Sequence, residues 1–142
     1  MMEQRVSLIT MAVSDLARAR GFYERLGWQN ASRDNGIVAF DLIGATLGLY
    51  PWESLARDMG IDPTVEHAPR MTLSHNLRTR GEVDALFERA CALGARSIKE
   101  PHEVFWGGYI AYFGDLDGHI WEIAHNPFSK LGPDGAFRWN GY

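Results

Sequence analysis

Glu122 is a carboxylate in the middle of an apolar run, with Ile120 and Trp121 before it and Ile123 and Ala124 after it. A strand of that composition is half or fully buried, and a buried carboxylate must be paired, hydrogen-bonded or protonated. Three uses are open to it: metal ligand, general base toward a proton next to a carbonyl, or acceptor for nearby hydroxyls and for a cationic or amide-bearing ligand. The histidines offer it little help. His67 and His102 fall in loops, His119 follows a turn, and His125 ends the strand on the face opposite Glu122, so no second titrating group stands at hydrogen-bond spacing. Cys91 has no second cysteine to pair with and lies between Ala90 and Ala92 on a helical pattern, which reads as packing.

The elements around Glu122 follow from periodicity and punctuation. LITMAV, residues 8 to 13, reads as a strand, and Ser14 and Asp15 are N-cap types before a helix carrying Leu16, Ala19, Phe22, Tyr23 and Leu26, which stops at Gly27. Trp28 to Ser32, Gly36 to Leu42 and Ala45 to Tyr50 read as three strands separated by the turn signals DNG and IGA. Residues 51 to 69 form a polar connector or lid with a short helix over ESLARDMG. The pattern then repeats. Arg70 to Leu77 is a strand, and Thr79 with Glu82 makes a capping box ahead of Val83, Leu86, Phe87, Ala90 and Leu93, a helix that stops at Gly94. Ala95 to Ile98, Gly107 to Gly114 and His119 to His125 are the closing strands, the last two joined by the DLDG turn.

Each half therefore reads βαβββ. Val13 matches Leu77, Leu26-Gly27 matches Leu93-Gly94, and Gly44 matches Gly118, with separations that grow along the chain as loop insertions would make them. The expected fold is α+β: two tandem βαβββ modules forming a curved mixed sheet around a central concavity. Its parts are module one over about 6–50, the connector over 51–69, module two over about 70–127 and a C-terminal tail over 128–142, all within a single domain.

Composition narrows the function classes. With 46% hydrophobic and 23% charged residues the 142-residue chain has a globular balance. A net charge of −4 without a basic, aromatic-interleaved cluster argues against nucleic acid. The opening residues turn charged within a few positions, which argues against a signal peptide or membrane span and makes the cytoplasm the expected location.

Two stretches carry a resemblance. AVSDLARARGFYERLGW, residues 12 to 28, resembles the first strand and helix of the vicinal oxygen chelate superfamily, and YFGDLDGHIWEIAHNP, residues 112 to 127, resembles its closing hairpin. The superfamily includes glyoxalase I, bleomycin and fosfomycin resistance proteins, methylmalonyl-CoA epimerase and extradiol dioxygenases. The resemblance spans residues 6 to 127 and implies a pocket between two modules, often with a divalent metal. Metal-binding members take ligands from the first and last strands of each module, and the four matching places here read Leu8, Gly48, Thr72 and Glu122. A catalytic divalent ion generally needs three protein ligands, and leucine and glycine side chains offer no lone pair, so no metal and no cofactor are expected. Shifting the second module's first strand by one residue would bring in His75, but it would bury the polar stripe of Thr72, Ser74 and Asn76 beneath a helix.

Strand alternation assigns the faces. Leu8, Thr10, Ala12, Thr46, Gly48 and Tyr50 face inward in the first half; Thr72, Ser74, Asn76, Ile110, Tyr112, Ile120, Glu122 and Ala124 do so in the second. Trp106, ahead of Gly107 and Gly108, either folds across the mouth of the concavity or covers the sheet edge at a β-bulge. The expected ligand-binding set is thus Thr10, Tyr50, Thr72, Ser74, Asn76, Trp106, Tyr112 and Glu122, with Glu122 the catalytic candidate if the protein is an enzyme. The lining suits a small organic ligand, and the preferred function is a metal-independent small-molecule binding protein similar to the bleomycin-resistance type. The alternative is a lyase or isomerase similar to glyoxalase I with Glu122 as base or ligand. The resemblance also implies a homodimer, and the tail aromatics Phe128, Phe137 and Trp139 are expected to cover the pocket or the partner subunit.

Overall fold

The computed structural model describes residues 2, 4, 7–59, 62–64 and 71–142. Two compact units divide the chain, residues 1–68 and 69–142. The expected strand start at Arg70 and the loop residue His67 lie outside the described residues.

In the first unit, β1 (Leu8–Val13) leads into α1 (Leu16–Arg25), followed by β2 (Val38–Leu42), β3 (Ala45–Pro51) and α2 (Trp52–Met59). The Asp15 side chain caps α1 by accepting from the Arg18 N–H at 3.0 Å. The sheet order is β1-β3-β2, with β1 and β3 parallel and β2 and β3 antiparallel. Met11, Val13, Leu47 and Leu49 alternate onto the side that α1 covers with Ala19, Phe22 and Tyr23, and all are buried. This dry layer is the unit's core.

Trp28 to Ser32 does not form the expected strand; only an isolated bridge from Asn30 to Phe40 remains. The Asn30 side chain takes the ladder's place, its Oδ1 accepting from the N–H groups of Ser32 and Ala39 at 3.0 and 3.1 Å. Trp28 meanwhile stacks on Tyr23 at 5.3 Å and tilts against Phe40 at 5.4 Å, so its ring is held by packing instead of by sheet alternation.

The second unit holds β4 (Leu73–Asn76), α3 (Arg80–Ala92), β5 (Arg96–Glu103), β6 (Tyr109–Gly114) and β7 (Ile120–His125) in the sheet order β4-β7-β6-β5. The capping box is formed: Glu82 N–H donates to Thr79 Oγ1 at 3.1 Å and Thr79 N–H donates to Glu82 Oε2 at 3.0 Å. Both long helices end as their sequences foretell, at Gly27 and Gly94 with φ of 113° and 100°. On the helix side of the sheet, Trp121, Ile123, Ala111 and Phe113 meet Val83, Phe87 and Ala90 of α3. β5 is longer than the four residues expected and runs through Pro101 at the sheet's edge with two register shifts, exposed over most of its length. Both sheets are open, and no described helix is long and apolar enough to cross a membrane.

Candidate functional site

Register decides which side chains share the face opposite α3. Ser74 of β4 lies opposite Glu122 of β7, which lies opposite Tyr112 of β6; Lys99 of β5 continues the row. The next row along is Asn76, Ala124, Ile110 and His102. His75 is level with Ile123 and therefore on the other face, so the unshifted strand register is the one formed.

Two hydroxyls clamp the carboxylate. Tyr112 Oη donates to Glu122 Oε2 at 2.6 Å, and Ser74 Oγ donates to Glu122 Oε1 at 3.2 Å. Each oxygen thus has one protein donor and keeps lone-pair capacity for another. The bond to Glu122, assisted by burial and by the carboxylate's charge, pushes the Tyr112 phenol up to about 12 from its ordinary 10.0. Tyr112 is therefore a neutral donor throughout the physiological range. Around the pair, Ile110 and Ala124 are buried and Ile120 is half-buried, giving a polar clamp on an apolar floor.

The remaining expected site residues divide. Asn76 stands one row from Glu122 and is half-buried, whereas Thr72 is exposed just ahead of β4. Trp106 occupies a hairpin turn: Gly107 N–H donates to Val104 O at 2.9 Å, Val104 N–H donates to Gly108 O at 2.9 Å, and Gly107 takes φ of 95°. FWGG is thus a turn closed by backbone bonds, the register shifts of β5 lying earlier, between Ser97, Lys99 and His102, and glycine is needed at 107 because other residues resist that φ. The benzo ring of Trp106 fills the space that a side chain on Gly108 would need. Since Gly108 alternates with Ile110 and Tyr112, the indole lies on the face that bears Glu122.

Thr10 and Tyr50 belong to the first unit. Thr10 lies opposite Gly48, and Tyr50 lies opposite Ala12. Tyr50 Oη donates to Asp58 Oδ2 of α2 at 3.0 Å, which raises the phenol's pKa. α2 thereby sits against the Thr10 and Tyr50 face of its own sheet. Asp58 and Lys99 escaped the sequence reading. The signal for Asp58 was its place on a helix that directly follows Tyr50; Lys99 was hidden because the irregular β5 defeats a count of alternation.

The acidic turn of the closing hairpin is structural. Asp115 is buried, and its Oδ1 accepts from the N–H groups of Asp117 and His119 at 2.9 and 2.8 Å. Histidines are engaged locally, with His125 Nδ1 3.2 Å from Leu77 O and His102 Nδ1 2.8 Å from Glu100 O.

Residues 5–123 match the model of the Glyoxalase/Bleomycin resistance protein/Dioxygenase superfamily. The chain belongs to this superfamily. Among solved structures, a glyoxalase-related enzyme from Fulvimarina pelagi is 34% identical with a TM-score of 0.90, covering 98% of this chain and 100% of its own. Hypothetical protein SA1046 from S. aureus is 25% identical with a TM-score of 0.77, covering 88% and 95%. Lactoylglutathione lyase from Agrobacterium tumefaciens is 21% identical with a TM-score of 0.67, covering 88% and 96%, and shares the fold. No curated protein matches the chain in sequence.

For a glyoxalase-superfamily chain, the donor chemistry at the metal-ligand places is sparse. Leu8 and Gly48 have no donor atom, Thr72 is a neutral hydroxyl, and both oxygens of Glu122 already accept from hydroxyls. Among the described residues no three His, Cys, Asp or Glu side chains gather as a metal-holding group. These residues do not fit a catalytic divalent ion, whose site requires several anionic or imidazole donors.

Proposed function

We propose that the protein is a small-molecule binding member of its superfamily that works without a divalent metal, with Glu122 as the polar anchor for its ligand. The observation that carries this reading is the clamp itself: Ser74 and Tyr112 each hold one oxygen of Glu122 above the apolar floor of Ile110 and Ala124. A carboxylate so held is preorganised to accept from an amine, amide or hydroxyl, while the floor and Trp106 receive the ligand's apolar body. Tyr112, kept neutral, orients Glu122 and leaves its own lone pair available to a donor.

The test is native mass spectrometry and elemental analysis of protein purified from cells, with melting followed in EDTA. Expected are no stoichiometric zinc, nickel or manganese, unchanged melting in chelator, and a retained small organic mass that Glu122→Ala loses. A tightly held divalent ion whose removal lowers the melting temperature would overturn the proposal. A second reading, an enzyme with Glu122 as general base, draws on the 34% identity to a glyoxalase-related enzyme. Turnover of a carbonyl substrate with a proton on the adjacent carbon, lost in Glu122→Gln, would favour it.

A further inference from the structure

β5 sorts its charges by face. Pairing puts Arg96 opposite Gly114 and Lys99 opposite Tyr112, so both cations share the side of the sheet that carries Glu122. Side-chain positions agree: Arg96 Nε stands 3.8 Å, and Ile98 Cδ1 3.7 Å, from where a side chain on Gly114 would begin. The register shift between Ser97 and Lys99 lets Arg96, Ile98 and Lys99 line one face, since strict alternation would turn Lys99 away. The carboxylates of the strand go the other way. Glu103 pairs with Arg80 of α3 at 3.1 Å, and the charge of Glu100 adds to burial in pushing up the Cys91 thiol of the same helix. Among the described residues, neither Arg96 nor Lys99 has a carboxylate within ion-pair reach. Ile98, 41% exposed, forms an apolar ledge between them. A chain of net charge −4 thus holds two cations without a carboxylate partner on the face where its clamped carboxylate lies.

We propose that Arg96 and Lys99 form the anion-binding end of the Glu122 site, whose ligand is a small organic molecule with a carboxylate or phosphate at one end and an amine or hydroxyl at the other. This rests on the reading of Glu122 as ligand anchor and adds the second end. Lys99 lies two strands from Glu122, about 10 Å at the usual strand spacing, with Tyr112 between them. The span favours a molecule whose two ends are separated by an apolar ring over an α-amino acid head, in which ammonium and carboxylate share one carbon. Lysine supplies a mobile point charge and arginine a planar fork, a combination suited to either anion. Ile98 and the Tyr112 ring receive the body between the ends.

Isothermal titration calorimetry at low salt tests it with tyramine, its phosphate ester and para-aminoethylbenzoate, which share an aminoethylphenyl body and differ in the anion. At least one of the two acids should bind at least ~10-fold more tightly than tyramine, the yield of two charge-assisted contacts at a solvated rim; comparing the two acids tells which anion is taken. Arg96→Gln with Lys99→Gln should bring that preference to within ~2-fold, and raised salt should shrink it. Lys99→Gln alone, should the pair fold poorly, is expected to lower it as well. Arg89→Gln, which removes a cation from α3, should leave it unchanged. Tyramine bound as tightly as both acids, a preference that survives the double substitution, or no binding of either acid at millimolar concentration would overturn the proposal. The two readings fail differently. Equal affinities that Glu122→Ala still weakens would sink the anion end alone, whereas an anion preference with affinities indifferent to Glu122→Ala would sink the anchor and with it the two-ended ligand.

Discussion

The same row of the sheet can be read in each unit. In the first it runs Thr10, Gly48, Ala39; in the second it runs Ser74, Glu122, Tyr112. The strand relations are identical, parallel on one side of the central strand and antiparallel on the other. One unit has a hydroxyl beside a bare backbone, and the other a carboxylate held by two hydroxyls. A repeated scaffold therefore supplies equivalent positions without equivalent chemistry, and the hydrogen-bonded carboxylate in this comparison sits in the second unit.

The strongest way to break the contrast is to write the second row into the first. Glu at Gly48 would begin with a Cβ 3.4 Å from Leu8 Cδ1 and 3.8 Å from Ile37 Cδ1, with Thr10 Oγ1 at 3.7 Å as the hydroxyl neighbour. Gly48→Glu is expected to destabilise the protein by at least ~3 kcal/mol in urea unfolding, because a buried carboxylate there lacks its clamp. Gly48→Ala makes only ordinary contact and should be neutral or stabilising by up to ~1 kcal/mol. A well-tolerated Gly48→Glu would show that the clamp is not what makes a carboxylate acceptable at this place.

Dismantling the second row gives smaller effects. Glu122→Ala removes the shared acceptor of both hydroxyls and should cost about 1–2 kcal/mol along with the ligand. Tyr112→Phe should cost about 1 kcal/mol, and Ser74→Ala, at a longer and more exposed bond, less than ~0.5 kcal/mol. If all three cost the same, the clamp does not act through the 2.6 Å bond that distinguishes Tyr112.

The finest probe is alkaline titration by tyrosinate absorbance. The folded Tyr112 phenol lies near 12, above its ordinary 10.0, so the neutral form is favoured by folding. Its contribution is complete below pH 10 and is lost as pH rises through about 12. Glu122→Ala removes the hydrogen bond that chiefly raises it together with the carboxylate's charge, and the highest tyrosine transition should then move down toward 10. An unmoved transition would mean that burial, not Glu122, sets the value.

Much of this was legible in the residues because it rests on local rules. Thr79 and Glu82 announced their capping box, Gly27 and Gly94 their helix stops, and the alternation through Ser74, Asn76, Tyr112 and Glu122 gave the correct face. What failed depended on a side chain competing with the ladder or on broken alternation. Asn30 replaced sheet hydrogen bonds and removed a strand, and the shifts in β5 concealed Lys99 beside Tyr112. Alternation places Tyr50 on a face but carries no distance, so the Asp58 carboxylate on its hydroxyl is visible only in the structure. Thr72 was placed with Ser74 by parity alone, but the strand begins only at Leu73.

β5 has one more consequence. Its proline carries no N–H, and its slipped pairing disturbs the regular row of groups a neighbouring strand would need. Chains concentrated in solution therefore lack a template along that border for open-ended stacking.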